Sequence, residues 1–316
     1  MDRPPDSSPY TRSGWLRISD RVRLRYALND RGRRGAVLVS PGWTENTHKY
    51  REVAGDLVER GYSVFVLDHR SQGESSRLTA NPQVTHVGRF EDYVSDLAAF
   101  YRRIVLARAH GDVALLGHSL GGLIATHFAA SRPERLNALV LSAPLFEVHG
   151  GLLPEHLMYC VATVLAWLGR GESYVPGHRD FDEGSMVFEG NPLTHSEERF
   201  GRWRTILLDA PELQVGGVSN HWLKSVIAAT RSVVALAGRL RVPVLLLQAG
   251  LDRLARPGRQ EQFCRRCESC VLERFPAARH ELLTETDPIR NRVLATILDF
   301  LRRVGRARIE APERGS

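Results

Sequence analysis

Four cysteines in 316 residues are too few, and too unevenly spread, for a disulfide framework. Three of them, Cys264, Cys267 and Cys270, form C-x-x-C-x-x-C, while Cys160 stands alone. A structural zinc site wants a fourth ligand close by, and none follows before His280. The expectation is therefore thiols buried at a helix end, with no metal and no cofactor. No apolar run reaches the length of a bilayer span. The first residues, Met1 to Pro9, lack the apolar segment of a signal peptide, which makes a cytoplasmic protein the expectation. Lysine is nearly absent, so the net charge of +7 rests almost wholly on arginine, scattered through helices and both tails. Such scatter reads first as a solvated surface, and second as peripheral contact with an anionic membrane at its inner face. No recognition helix or aromatic-basic platform points to nucleic acid, no repeat or low-complexity segment appears, and nothing speaks to an oligomer.

What is present is an ordinary globular composition, 43% hydrophobic and 25% charged, enough for one α/β domain carrying an insertion. Stretches 15–18 and 22–28 alternate as an antiparallel pair. Buried-strand runs follow at 36–40, 63–67, 112–116, 138–142, 242–249 and 271–275, separated by helical patterns at 46–60, 90–107, 120–131, 258–266 and 287–304. Strand, helix and strand again at this spacing imply a mostly parallel central sheet with helices on both faces. The alternation stops from about 146 to 240, where helices and loops carry turn signals at Gly150-Gly151, Gly169, Gly177, Asn191-Pro192 and Gly216-Gly217. The expected organisation is a core made of 1–145 and 241–316, with a mainly helical cap inserted at 146–240.

Gly117-His118-Ser119-Leu120-Gly121 breaks an apolar strand and opens a helix. Gly-x-Ser-x-Gly in that setting is a nucleophile elbow: the serine sits in strained backbone, and its neighbours two before and two after must lack side chains. A serine hydroxyl is a poor nucleophile near neutral pH, so it needs an imidazole base and an orienting carboxylate. In an open parallel sheet these belong at the carboxyl ends of strands. Asp252 follows the strand at 242–249, although a turn aspartate bonding its own backbone would look the same. The rival, Glu147, lies several residues beyond its strand. His280, between the last strand and the last helix, completes the order Ser, Asp, His. His118 is expected to pack or orient, and His69 and His195 to line a pocket. The amides of Leu120 and Trp43 are the expected oxyanion hole, with side chains there free to vary. Glu45 either binds the turn together or serves as a helix-start acid.

The segments Pro41-Gly-Trp-Thr-Glu, Asp68-His-Arg-Ser-Gln-Gly-Glu-Ser, Arg89-Phe-Glu-Asp-Tyr-Val-Ser-Asp-Leu, Gly117-His-Ser-Leu-Gly-Gly, Asn191-Pro-Leu-Thr-His-Ser, Leu245-Leu-Leu-Gln-Ala and Asp252-Arg carry a resemblance over residues 37–301. The chain resembles the lysophospholipases and monoacylglycerol lipases of the α/β-hydrolase superfamily, and most of all the bacterial lysophospholipase branch. The resemblance implies an α/β-hydrolase fold, a cofactor-independent serine esterase acting on a small-molecule lipid ester through an acyl-enzyme, and Ser119, Asp252 and His280 as its triad. Two positions depart from the pattern: Pro41 stands where monoacylglycerol lipases usually carry His, and Ser71 where Gly is usual. Monoacylglycerol lipase, general carboxylesterase, aminopeptidase or amidase, and a non-enzymatic ligand-binding member are the alternatives. The cap segment 157–168 is apolar nearly all round and is expected to pack on the core and line an acyl tunnel. His118, His195 and Trp167 are its expected pocket residues.

Overall fold

The computed structural model describes residues 8–149 and 153–310, and side chains as far as 306. Residues 1–7 of the N-terminal tail, the turn signal at Gly150-Gly151 and residues 311–316 lie outside the described residues. Among the described residues eight strands form one sheet in the order β1-β2-β4-β3-β5-β6-β7-β8. β1 (Arg12–Arg17) and β2 (Arg23–Asn29) are antiparallel to each other, and β2 is antiparallel to β4 (Ser63–Leu67). β3 (Ala36–Ser40), β4, β5 (Val113–His118), β6 (Leu136–Ser142), β7 (Val244–Ala249) and β8 (Cys270–Phe275) run parallel. β3, β4, β5 and β7 are buried at every residue, because helices cover both faces and strand positions of either parity must be apolar.

The alternation of side chains divides the core in two. Leu38, Phe65, Leu115, Leu139 and Leu246 face α2 (Phe90–Phe100), α3 (Leu120–Ala129) and α6 (Asn220–Ala237). Val37, Val39, Val66, Leu116 and Val140 face α1 (Arg51–Glu59) and α8 (Asp287–Glu310). Between β6 and β7 the chain lays down α4 (Glu155–Leu165), a π-helical turn (Ala166–Arg170), α5 (Glu197–Asp209) and α6. α7 (Pro257–Arg266) returns it to the sheet.

Three local departures have physical causes. The first helix starts at Arg51 and not near 46, because the amides of Gly42 and Thr47 are taken by the carboxylates of Glu45 and Asp68, which fold 41–50 into turns. The helix after Phe90 widens to π geometry over Tyr101–Val105, and Phe100, Tyr101 and Val105 are all buried as a result. Cys264 and Cys270 form a disulfide, against the expectation of free thiols. The chain reverses from the end of α7 into β8 and brings their Cα atoms to 5.2 Å, within bridging range. Cys267 between them is a buried thiol, and Cys160 is free and exposed.

Candidate active site

Ser119 closes β5 with φ 51° and ψ −118°, a left-handed conformation that a residue with a side chain adopts only when its surroundings impose it. Its own amide donates to Ser142 O at 3.1 Å, while its carbonyl accepts from the amides of Gly122, Leu123 and Leu145. The two glycines of the elbow are steric necessities. A Cβ on Gly117 would lie 2.6 Å from Gly121 O, and one on Gly121 would lie 2.0 Å from Ser40 O and 2.4 Å from Pro41 O. α3 begins at Leu120, so that amide belongs to the first turn, whose N–H groups lack helical partners.

Asp252 follows β7, and its two carboxylate oxygens have different partners. Its Oδ1 accepts from the amides of Leu254 and Ala255 at 2.8 and 2.9 Å, and its Oδ2 meets His280 Nδ1 at 2.8 Å. Burial works to raise this carboxyl, but the imidazole and the two amides outweigh it and hold the pKa below the usual carboxylate range. Glu147, the rival acid, lies beside Arg256 and Arg259 at 3.6 and 4.0 Å. The loop carrying His280 is clasped by the segment at 191–196. Asn191 Oδ1 accepts from the amides of Leu193 and Thr194, and the carbonyls of Pro192 and Leu193 accept from the amides of His280 and Glu281. This clasp accounts for a motif far from any strand end.

Ser119 and His280 line one cavity of about 600 Å³, together with Gly42, Trp43 and His118. Met158, Val175, Leu207, Val215 and Val218 supply its apolar walls. His118 is held by Ser142 O at 3.0 Å, its ring 4.9 Å from that of His280, and burial lowers its pKa. Three expected pocket residues are corrected. His195 sits in the clasp, bonds Glu285 through Nδ1 at 2.9 Å, and is not part of the cavity wall. Trp167 lies beyond α4, where Gly169 at φ 79° turns the chain, and is 83% exposed outside the cavity. His69 is buried beneath the site and bonds Ser40 Oγ at 2.9 Å; burial and then Arg70 push its pKa down to about 3.

The Gly42-Trp43 turn is fixed by residues that sequence reasoning largely missed. Gln72 Nε2 donates to Gly42 O and Glu45 O at 2.7 and 3.1 Å. Glu45 Oε2 accepts from the Gly42 amide at 2.6 Å and from Tyr50 at 2.8 Å, so the turn-binding role is the one the geometry assigns to it. The Trp43 side chain is not free to vary: its indole donates to Thr85 Oγ1 at 2.9 Å and packs 6.0 Å from Trp222 of α6. Ser71 takes φ 66°, the conformation a glycine would accept at no cost, and its hydroxyl donates to His86 O at 2.8 Å. Lys49 and Glu281 are buried at the polar end of the cavity. The signals that would have found them are one of only two lysines in an arginine-rich chain and an acid directly after His280.

A mostly parallel sheet crossed by helices, with a strained serine between strand and helix, defines an α/β-hydrolase. Residues 31–287 match the family model described as serine aminopeptidase, S33. Lysophospholipase L2 of Escherichia coli is 35% identical over 298 residues, covering 89% of this chain and 83% of that protein. The monoacylglycerol lipase of Mycolicibacterium smegmatis is 26% identical, covering 84% and 89%. A crystal structure of a soluble variant of monoglyceride lipase from Saccharomyces cerevisiae superposes with a TM-score of 0.71 at 19% identity, covering 96% of this chain and 98% of that one. The chain belongs to the serine aminopeptidase S33 family of α/β-hydrolases, and it is a serine ester hydrolase. Among the described residues no helix is long and apolar enough to cross a membrane.

Proposed function

We propose that this enzyme cleaves the carboxylic ester of a monoacyl lipid, of lysophospholipid type, through an acyl-enzyme on Ser119. One observation carries the reading: the 2.8 Å contact between His280 Nδ1 and Asp252 Oδ2 at the wall of a largely apolar cavity that also takes in Ser119. Asp252 keeps the proton on Nδ1, which leaves Nε2 to accept the proton of Ser119 Oγ. The hydroxyl oxygen adds to the ester carbonyl, and the oxyanion rests on the amides of Trp43 and Leu120. Each such donor is typically worth about 3 kcal/mol in the transition state. Collapse expels the alcohol, which takes the proton from His280; water then repeats the sequence and frees the fatty acid.

Residues 146–240 act as the cap, and the cavity beneath it lies within the size range of small-molecule sites. Each methylene buried along Met158, Val175, Leu207 and Val215 is worth ~0.8 kcal/mol, enough to favour long monoacyl chains. The curated relatives named lysophospholipase L2 and monoacylglycerol lipase support that substrate class. An aminopeptidase would need a carboxylate free for the substrate amine, whereas Glu45 and Glu281 at the polar end are both engaged by Lys49. The partly exposed Leu153 and Val161 of the cap reach the cavity, while Leu157, Val164, Trp167 and Leu168 lie outside the cavity wall and are all more than a third exposed to solvent, with Arg170 beside them. That face suits peripheral contact with an anionic membrane at its inner surface, where the substrate resides.

Turnover of lysophosphatidylethanolamine, monoolein, a short aryl ester and an aminoacyl anilide, with wild type and Ser119→Ala, tests the reading. Lysophospholipid should be turned over fastest and the variant should be inactive on all four. Activity retained by the variant, or the anilide outrunning every ester, would overturn it. Trp167→Asp with Leu168→Asp should reduce sedimentation with anionic vesicles and leave aryl-ester turnover within about twofold; unchanged sedimentation would remove the membrane part alone.

A further inference from the structure

Lys49 is one of two lysines in the sequence and it is buried, with both its acidic partners buried too. Its Nζ lies 2.5 Å from Glu281 Oε1 and 3.0 Å from Glu45 Oε1. Each carboxylate uses its second oxygen on a different loop. Glu45 Oε2 accepts from the Gly42 amide and the Tyr50 hydroxyl, and so holds the turn that presents Trp43. Glu281 Oε2 accepts from Thr284 Oγ1 at 2.8 Å, and its backbone is one peptide from His280. The ammonium also lies 5.4 Å over the ring of Trp203 on α5. One side chain therefore joins the turn of the proposed oxyanion hole, the loop of the proposed base and the insertion above them.

From this juxtaposition we infer that Lys49 is a positioning residue for the hydrolysis: by bridging Glu45 and Glu281 it sets the placement of the Trp43 amide relative to His280. The inference rests on the triad reading above. Two buried carboxylates facing each other without a cation repel strongly, and a loop carrying one of them is driven away from the other. A displacement of about 1 Å in such a site costs on the order of 10²-fold in rate. Burial opposes the charge on Lys49, but Glu281 and Glu45 together outweigh it and keep the ammonium protonated. The charged and titratable groups around the bridge are Glu45, Glu281, Tyr50, His118, His280 and Asp252. Removing one positive or one negative member changes the field at the imidazoles in opposite senses.

The test is steady-state kinetics on a soluble aryl ester with Lys49→Met, Lys49→Arg and Glu281→Gln in the full-length protein. Lys49→Met should lower kcat about 10²-fold with KM within threefold, and Lys49→Arg, which keeps the charge and the donors, should recover most of it. The acid limb of the kcat/KM profile should move to higher pH in Lys49→Met and to lower pH in Glu281→Gln, by about half a unit or more. A purely structural role would lower melting temperature without opposed shifts of that limb. Should Lys49→Met fail to fold, Glu281→Gln and Lys49→Arg carry the test: a limb moved down in the first and unmoved in the second supports the bridge. A kcat within threefold of wild type in Lys49→Met, or a limb that stays put in Glu281→Gln, overturns it. If Ser119→Ala is inactive while these variants behave as wild type, only the positioning role falls; if Ser119→Ala is active, the triad reading falls first.

Discussion

Replacing Asp252 by Asn separates geometry from charge in the proposed triad, because the structure dictates how the amide must sit. The carboxylate has one oxygen on the amides of Leu254 and Ala255, at 2.8 and 2.9 Å, and the other on His280 Nδ1 at 2.8 Å. An asparagine that keeps its carbonyl oxygen on the two amides turns its NH₂ toward His280. Nδ1 must then accept, the imidazole proton moves to Nε2, and the nitrogen that should take the proton of Ser119 is already occupied. The flipped amide would set NH₂ against two N–H donors, and each buried donor left without an acceptor costs about 1–3 kcal/mol, so this rescue is disfavoured. The expected result is a fall of about 10⁴ in kcat, equivalent to about 5.5 kcal/mol of transition-state stabilisation, with KM on a short aryl ester nearly unchanged. Kinetics beside circular dichroism and a thermal melt make the assay. A loss under tenfold in a folded variant would show that Asp252 does not set the tautomer.

The remaining expectations concern the frame of the site. Arg70 makes a bidentate pair with the fully buried Asp96 at 2.7 and 2.8 Å, so Arg70→Met strands that acid and should cost about 3–5 kcal/mol. At about 2.1 cal/mol/K per residue this lowers the melting temperature of the 316-residue chain by about 5–8 °C. Arg70→Met with Asp96→Leu should recover most of it, and a double variant no better than the single would refute the assignment. Gly121→Ala places a methyl 2.0 Å from Ser40 O, so both α3 and the turn after β3 must move; a destabilisation of about 1–3 kcal/mol with loss of esterase activity should follow, and an unchanged melt and rate would contradict it. Burial raises the Asp68 carboxyl from 3.8 to about 7, so the fold favours the protonated acid. Its contribution to stability is complete below about pH 4 and is lost as pH rises through about 7. Asp68→Asn, which imitates the neutral acid, should flatten the change in denaturant midpoint between pH 5 and pH 8; parallel curves for the two proteins would refute this.

Much of the fold was legible because buried parallel strands leave short apolar runs bounded by turn signals, at regular spacing between helical patterns. The stretches at 36–40 and 63–67 coincide with β3 and β4 because every position in them is buried. Boundaries failed where side chains took over backbone bonding, as at 41–50, where Glu45 and Asp68 carboxylates delay the helix to Arg51. The elbow and the acid–imidazole contact could be read from strand ends and order alone, since an open sheet gathers chemistry at one rim. Which cap residues reach the cavity could not. Trp167 and Met158 both belong to an apolar stretch, yet one is almost fully exposed and the other lines the cavity. Hydrophobicity names the residues that avoid water in an isolated chain, but the phase of α4 and of the π-helical turn after it decides which side of the cap each one takes.

The two halves of the site are held by different physics. The turn bearing Trp43 is tied by Gln72 from the loop after β4, by Glu45 from within, and by the indole bond to Thr85 with the stack on Trp222. These are directional and mostly buried contacts, and loss of any one leaves an unpaired polar group that the fold resists. The apolar cavity wall is formed by residues such as Met158, Val175 and Leu207, whose contacts are non-directional and tolerate re-packing. Substitutions in the wall should therefore change which acyl chain is preferred while leaving the rate on a short ester intact. If the Trp43 amide is the proposed oxyanion donor, substitutions among Gln72, Glu45 and Trp43 should lower the rate on every ester alike, because such a donor out of place is felt by whatever substrate occupies the site.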